Sequence, residues 1–226
     1  MTIQPRPAPL GLPLTVQETV LRELRRSLMS GRFAPGDPIR VDRVAAEFGV
    51  SAVPVREALR VLEAEGRVRY AARRGYTVTR LSHQEVEEIF RLCGLLEAEA
   101  LRQGVPATDA EAVARMRGLL AELESLSRGD AMWEMVAVHR DFHFVPIERS
   151  GLPLFQMELR RLWDHTDHHS GLYFFTDETA ARRMRLEHEA ILRACAARDA
   201  EGVVRLMAEH RAHALAGLAR LQKEEP

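Results

Sequence analysis

Residues 49–66 read GVSAVPVREALRVLEAEG, and this stretch decides how the amino-terminal part of the chain folds. A glycine stands at each end, which is typical of an element held between two turns. Between the glycines, Val55, Leu59 and Leu62 recur at helical spacing, while Arg56 lies on the opposite face. The stretch therefore predicts an amphipathic helix that packs through one face and presents arginine on the other.

The residues before this helix predict two further helices. The segment TVQETVLRELRRSLMSGRF carries apolar residues at helical spacing, and Gly31 then ends the first helix. Asp42 is the predicted N-cap of a short second helix that stops at Gly49, and Ser51 is the predicted N-cap of the third. Two helices joined by a tight glycine turn are typical of a helix-turn-helix.

The residues after the helix change to a strand-like composition. In RVRYAARRGYTVTR, residues 67–80, Val and Tyr flank a turn at Arg73, Arg74 and Gly75, which predicts a basic β-hairpin. A helix-turn-helix followed by such a wing is the layout of a DNA-binding winged helix domain. A small helical packing module with solvated arginines is the alternative, and the pattern alone leaves it open.

Composition limits the class of protein. The 226 residues are 46% hydrophobic and 29% charged, a balance typical of soluble globular chains. No apolar run approaches the roughly 20 residues that span a bilayer, and the two cysteines lie far apart. A cytoplasmic protein without disulfides or membrane contact is therefore expected. Residues 1–13 are rich in proline and lack a secretory signal, so they are interpreted as a flexible tail.

Charge divides the chain near residue 80. Residues 14–80 contain 13 Arg and 8 acidic residues, a net charge of +5, whereas the whole chain has a net charge of −1. This asymmetry indicates that only the first part meets a polyanion. Ordinary solvated surface charge is the alternative.

Residues 81–222 predict helices throughout. Capping boxes are expected to begin at Ser82 and Thr108, and breaks at glycine, proline and aspartate leave six helical segments. The predicted fold class is therefore mostly α. A winged helix-turn-helix with a small β-hairpin wing occupies residues 14–80, and an all-α six-helix bundle follows.

The histidines are unevenly distributed, since eight of the nine follow residue 130. His139 and His143 are four residues apart and project from one face of a helix. Two histidines at this spacing can bind the same ion. His188 and His210 lie beside apolar residues in the last two segments and are expected to face the bundle interior. The four could coordinate Zn or Ni. Hydrogen-bonded core histidines are the alternative.

Residues 30–68, SGRFAPGDPIRVDRVAAEFGVSAVPVREALRVLEAEGRV, closely resemble the amino-terminal domain of the GntR family of bacterial transcription regulators. The resemblance covers roughly residues 14–80. It implies DNA-reading positions on the helix-turn-helix and at the wing tip, namely Arg43, Ser51, Val53, Arg56, Arg74 and Gly75. The chain departs from the family pattern at Ala52 and Val53, where Arg and Thr are usual. We therefore expect an operator that differs at the base pairs these residues meet.

The carboxy-terminal part resembles the all-helical ligand-binding domain of the FadR subfamily, called FCD. The resemblance lies in FH....ERSGLPLF at residues 142–155 and EHEAIL.A...RDAEGV...M..H at residues 187–210. Many such domains hold a metal through one Asp and three His and bind the carboxylate of a small effector. One divalent ion per chain, Zn or Ni, is thereby implied. Its ligands would be three matching histidines and a fourth in place of the Asp: His143, His188, His210 and His139.

The effector site departs from the family pattern as well. An Arg is usual four residues before Glu97, but Cys93 stands there. Either the protein recognises a different ligand, or Arg91 or Arg102 takes the place of that arginine. The segment WDHTDHHSGLY offers further lining for the pocket in Asp164, His165 and His168, with a solvated helix end as the alternative.

The resemblance implies a homodimeric regulator, most simply a repressor, that releases a palindromic DNA operator when a small organic acid binds near the metal. A metal-responsive regulator, with the ion itself as the signal, is the alternative. A metal-dependent bundle enzyme ranks below both, because the sequence lacks Glu-x-x-His pairs, His-Glu-x-x-His and a phosphate loop. No enzyme activity is expected.

Overall fold

The structure, a computed structural model, describes the backbone of residues 14–126, 132–176 and 178–224, and the side chains of residues 14–126, 134–166 and 179–220. The tail predicted at residues 1–13 lies outside this part. Within it, no helix combines the length and the apolar character that a membrane span requires. The described chain forms a small head followed by a helical bundle.

The head contains three helices and one small sheet. The helices are α1 (Val16–Met29), α2 (Val41–Phe48) and α3 (Ala52–Ala64). The strands are β1 (Pro38–Ile39), β2 (Val68–Ala71) and β3 (Gly75–Val78), antiparallel in the order β1-β3-β2. The predicted helix-turn-helix and its hairpin wing are confirmed. Strand β1 was not predicted, because two residues that include a proline carry no alternation to detect.

Local capping explains where the helices of the head begin and end. Thr15 and Glu18 form a reciprocal capping box at the start of α1. Helix α2 begins earlier than predicted, with Arg40 at the N-cap, so Asp42 lies in the first turn rather than at the cap. Its carboxylate there still complements the positive end of the helix dipole. Gly49 ends α2 with φ 65°, in the left-handed region that glycine adopts without strain.

The bundle contains the six predicted helices. They are α4 (His83–Gly104), α5 (Ala110–Ser125), α6 (Met132–Glu148), α7 (Pro153–Thr176), α8 (Glu178–Ala196) and α9 (Ala200–Glu224). The capping box of Ser82 and Glu85 is confirmed at the start of α4. Thr108, however, does not cap α5. Asp109 caps it by accepting a hydrogen bond from the backbone N–H of Ala112, because the Thr108 hydroxyl is buried and donates to a carbonyl of α4.

Helices α4 and α6 approach each other closely at a glycine. A Cβ atom placed on Gly104 would lie 1.9 Å from the backbone oxygen of Pro146. Only a residue without a side chain permits this packing. The close contact helps to fix α6, which carries His139 and His143, against α4.

The head meets the bundle through a small joint. The Nη2 atom of Arg67 lies 2.6 Å from Oδ1 of Asp164, and Nη2 of Arg140 lies 2.8 Å from the same oxygen. Beside this ion-paired group, the ring of His165 lies against Gly66, where an added Cβ would be 1.9 Å from Cε1 of the ring. Movements of α6 or α7 can therefore reach the head through polar contacts.

Candidate nucleic-acid interface and histidine cluster

A basic cleft lies between the helix-turn-helix and the wing. Its volume is about 1030 Å³, and its lining includes six arginines, Arg40, Arg43, Arg56, Arg60, Arg73 and Arg74. Among the described residues of this lining, only Asp42 and Glu63 carry negative charge. The cleft is therefore strongly electropositive and suits a polyanion.

The cleft arginines differ from other arginines of the head in their partners. Arg25, Arg32 and Arg67 form salt bridges with Glu65, Glu47 and Asp164. Among the described residues, none of the six cleft arginines has a hydrogen-bonded or salt-bridged carboxylate. These guanidinium groups are thus available to phosphates or base edges.

Four of the predicted DNA-reading residues, Arg43, Arg56, Arg74 and Gly75, line the cleft. Ser51 and Val53 lie at the exposed start of α3, where Val53 is 61% exposed. The Ser51 hydroxyl makes no capping hydrogen bond, so it does not satisfy the first N–H groups of α3. A phosphate oxygen suits such a helix start.

Sequence reasoning did not assign DNA contact to four further lining residues: Arg40, Arg60, Arg73 and Tyr70. Arg60 follows Arg56 by one helical turn, a signal that the sequence did contain. Arg73 lies in the wing turn with φ 69°. Arg40 reaches the cleft because the short strand β1 pairs with β3, an arrangement that only the tertiary structure reveals.

The structure brings the four predicted metal ligands together. His139 and His143 come from α6, His188 from α8 and His210 from α9, and all four are buried. Their Nε2 atoms form a chain of short separations: 3.0 Å from His188 to His143, 3.2 Å from His143 to His139, and 3.3 Å from His139 to His210. Four imidazole nitrogens therefore converge on one point in the bundle.

The donor set fits a divalent cation. Zn–N bonds of about 2.0–2.1 Å place the nitrogens of a tetrahedral site about 3.3–3.4 Å apart. The three separations above are close to this value, and all four ligand atoms lie within 4.8 Å of one another. Burial lowers the pKa values of His139, His143 and His188, so these rings are neutral and able to ligate. No described residue hydrogen-bonds to Nδ1 of His143 or His188, so their polar contacts are made through Nε2 alone. A central cation would satisfy the converging lone pairs together.

Glu187 orients one of these ligands. Its Oε2 lies 2.7 Å from Nδ1 of His210, and its Oε1 lies 2.6 Å from Nδ1 of the half-exposed His213. Burial acts to raise the pKa of Glu187, but the hydrogen bonds to His210 and His213 lower it overall. A carboxylate behind an imidazole fixes the ring orientation and makes the ring a better ligand.

A second polar group adjoins the cluster. Glu97 is fully buried, and its Oε1 accepts a hydrogen bond of 2.9 Å from Nε1 of Trp163, while its Oε2 accepts one from Nη1 of Arg211. Burial raises the pKa of Glu97, and the charge of Arg211 and the bond from Trp163 oppose that rise. No local pattern in the sequence pairs Glu97 with Arg211, since they lie 114 residues apart.

The residues predicted to bind the effector have other surroundings. Arg91 is exposed, and Arg102 forms an exposed salt bridge with Glu201. Asp164 and His165 take part in the joint with the head. The side chain of His168 lies outside the described residues. The effector role of these residues stays a prediction.

Comparison with known proteins accounts for both regions. Residues 88–213 match the FCD domain, and residues 16–78 match the bacterial regulatory proteins of the gntR family. The chain belongs to the GntR family. It is thus a transcription regulator and not an enzyme, as the absence of catalytic motifs predicted.

Relatives of this GntR regulator match most of its length. The regulator BphR of Paraburkholderia xenovorans is 30% identical over 90% of this chain and 85% of its own. The transcriptional repressor GlaR of Escherichia coli is 25% identical over 84% of this chain and 89% of its own. The structure of E. coli McbR/YncC has a TM-score of 0.78 and 24% identity over 93% of this chain and 100% of its own, which supports the fold.

Proposed function

We propose that this regulator binds a palindromic operator as a homodimer and represses transcription, and that a small carboxylate effector bound beside a divalent ion weakens the binding. One observation carries the proposal: the helices that line the histidine cluster also contact the head. Arg140 follows His139 on α6, Asp164 follows Trp163 on α7, and both form one ion-paired group with Arg67.

Operator binding is proposed to use the basic cleft. When arginines without carboxylate partners bind DNA phosphates, they release the cations condensed on the DNA. The affinity for DNA therefore falls steeply as the salt concentration rises. Arg56, on the helix expected in the major groove, is placed to read a base edge or a phosphate. The exposed Val53 offers an apolar contact to a thymine methyl.

The four histidines, His139, His143, His188 and His210, would hold one ion, and Zn or Ni suits imidazole ligands. Bound there, the ion would supply positive charge that the neutral rings do not offset. Glu187 keeps His210 turned toward the cluster. An effector carboxylate is the natural partner for that charge.

The joint offers a route for the signal. Arg67 is mostly buried, with its side chain 10% exposed, and shares one oxygen of Asp164 with Arg140. A charge in such surroundings needs its partner. A shift of α6 or α7 on effector binding would alter this shared pair and bias the orientation of the head, as a population shift requires.

Repression is proposed from a relative, and dimerisation from the symmetry of the operator. GlaR is described as a repressor, and repression is the simplest output of a regulator that releases DNA on binding an effector. A palindromic operator presents two half-sites, so it calls for two heads related by two-fold symmetry.

A second candidate is a metal-responsive regulator. All four proposed ligands belong to this chain and tie α6, α8 and α9 together. An ion could therefore order these helices without any effector, and the ion itself would be the signal.

One titration separates the two candidates. Operator fragments selected from genomic DNA would be bound to chelator-treated, Zn-loaded and Ni-loaded protein, with and without acetate, succinate or citrate, and followed by fluorescence anisotropy. We expect an acid to weaken binding only when the ion is present. A change caused by the ion alone favours the second candidate, and failure to bind any duplex would overturn both.

The route through the joint has its own test. Asp164→Asn should retain operator binding but lose most of the response to the acid, because Arg67 and Arg140 no longer share a carboxylate. Asp141→Asn, at an exposed position of α6, is the matched control. An unchanged response in Asp164→Asn would exclude this route.

A further inference from the structure

Arg211 brings a guanidinium group to one side of the histidine cluster. It follows His210 on α9, its side chain is only 16% exposed, and its Nη1 donates to Glu97. The guanidinium is therefore mostly buried, next in sequence to a residue of the cluster, and held by a buried carboxylate.

Trp163 links this ion pair to the histidines. Its Nε1 donates to the other oxygen of Glu97, at 2.9 Å. The centroid of its ring lies 5.5 Å from that of His143 and 5.8 Å from that of His139. Trp163 thus connects the Glu97–Arg211 pair with the cluster, through its Nε1 hydrogen bond on one side and its ring contacts on the other.

Arg211 retains donors that the protein does not use. Its Nε and Nη2 atoms have no hydrogen-bond partner among the described residues. The guanidinium also passes close to Gly94, where an added Cβ would lie 3.2 Å from Nη2. One face of the group is therefore fixed by Glu97, while other donors stay available to a ligand.

The charges around a loaded cluster do not balance. Four neutral imidazoles leave a divalent ion with its full charge, and Arg211 adds one more positive charge. Glu97 and Glu187 together supply two negative charges. One positive charge remains in buried surroundings, where an anion is strongly favoured.

We propose that Arg211 binds the carboxylate of the effector, and that Glu97 and Trp163 act as positioning residues that hold the guanidinium in place. The ligand class is a small organic acid. The inference rests on the proposed function, because it assumes an effector beside the ion. Arg211 thereby takes the role of binding the acid that the sequence assigned to Arg91 or Arg102, both of which lie at exposed positions.

The test uses the full-length protein loaded with Co²⁺, whose visible spectrum reports changes around the ion, and intrinsic tryptophan fluorescence. The probes are acetate, succinate and citrate, with acetamide and succinamide as neutral counterparts. Because Arg211→Met alone would leave Glu97 as an unpaired buried charge, the variant is Arg211→Met combined with Glu97→Gln. The glutamine oxygen can still accept from Trp163. Glu97→Gln alone is the reference for the double variant, and Arg102→Gln is the control.

We expect one or more carboxylates to bind the wild type and Arg102→Gln with similar affinity, and the double variant to bind them about 10- to 100-fold more weakly than Glu97→Gln, which keeps the guanidinium. The amides should have the same affinity for all four proteins, and the Co²⁺ content should be the same in all four. Equal carboxylate affinity of the double variant and Glu97→Gln overturns the role of Arg211 and leaves the proposed function intact. Loss of the ion from the double variant alone assigns Arg211 to metal retention and also overturns the role. A loaded wild type that binds none of the acids overturns both proposals.

Discussion

The basic cleft of the head and the histidine cluster of the bundle use arginine in opposite ways. The cleft arginines have no salt-bridged carboxylate among the described residues. In the bundle, Arg140 and Arg211 are mostly buried and each is bonded to a carboxylate. A DNA-binding surface needs charges that the protein leaves unneutralised, whereas a desolvated charge needs a partner. The partners of an arginine, more than its position in the sequence, therefore indicate its task.

The largest effect is expected when one histidine ligand is removed from the cluster. In His143→Ala, we expect the protein to lose the ion, about one per chain, because four converging nitrogens become three. Elemental analysis after dialysis measures the change, and operator binding at low salt should persist. His83→Ala, at an exposed position at the start of α4, is the matched control and should keep the ion. Equal metal content in the two variants would refute the site.

The next test affects the bundle and spares the head. Gly104→Ala would place a Cβ atom 1.9 Å from the backbone oxygen of Pro146. We expect the free energy of unfolding of the bundle to fall by about 3 kcal/mol, since neither backbone can move aside cheaply. Urea denaturation measures this loss.

The control for that change is another helical glycine. Gly118 is exposed, and an added Cβ meets nothing within 4 Å. Gly118→Ala should therefore stabilise the bundle by roughly 0.5–1 kcal/mol. If both substitutions destabilised equally, the close contact between α4 and α6 would not be the cause.

On the head, Arg56→Ala should weaken operator binding by about 1–3 kcal/mol and, if a phosphate contact is lost, lower the salt dependence by about one unit of log–log slope. Arg32→Ala, which removes an arginine paired with Glu47 outside the cleft, should change neither quantity much. Anisotropy titrations at several salt concentrations make the comparison. Identical behaviour of the two variants would contradict the distinction between paired and unpaired arginines.

The smallest expected effect lies where the two regions join. Ser82→Ala removes the cap of α4 and should cost about 1 kcal/mol of stability. Hydrogen bonds from the backbone N–H and the hydroxyl of Ser82 lower the pKa of Glu85 below its ordinary value. The stabilisation from Glu85 is therefore present above the ordinary carboxyl pKa and is lost as the pH falls through the lowered one. Thermal melts of wild type and Glu85→Gln between pH 6 and pH 3 should converge at the acid end.

The sequence predicted most of the head because its signals are local. The apolar stripe of α3 and the turn of the wing depend on residues a few positions apart, and both are confirmed. Arg40 was missed because its place in the cleft depends on pairing between β1 and β3, which are far apart in the chain. Thr108 was misassigned because a neighbouring carboxylate, Asp109, competes for the same cap.

In the bundle, spacing and resemblance together anticipated the four histidines, since two share one turn of α6. Arg211 was missed because its partner Glu97 is 114 residues away, and no local pattern encodes that bond. The predicted roles of Asp164 and His165 illustrate the same difficulty. Their helix was recognised, but the structure turns both toward the head.

The joint between Arg67 and Asp164 limits how freely such proteins can exchange parts. A chimera that grafts this head onto a foreign sensor without an acidic residue opposite Arg67 would remove the partner of its Nη2 atom and leave the guanidinium with Glu65 of the head alone. Restoring one aspartate on the recipient helix should rescue such a hybrid. Recombination among these regulators would then favour exchanges in which Arg67 and its acidic partner on the bundle are transferred together.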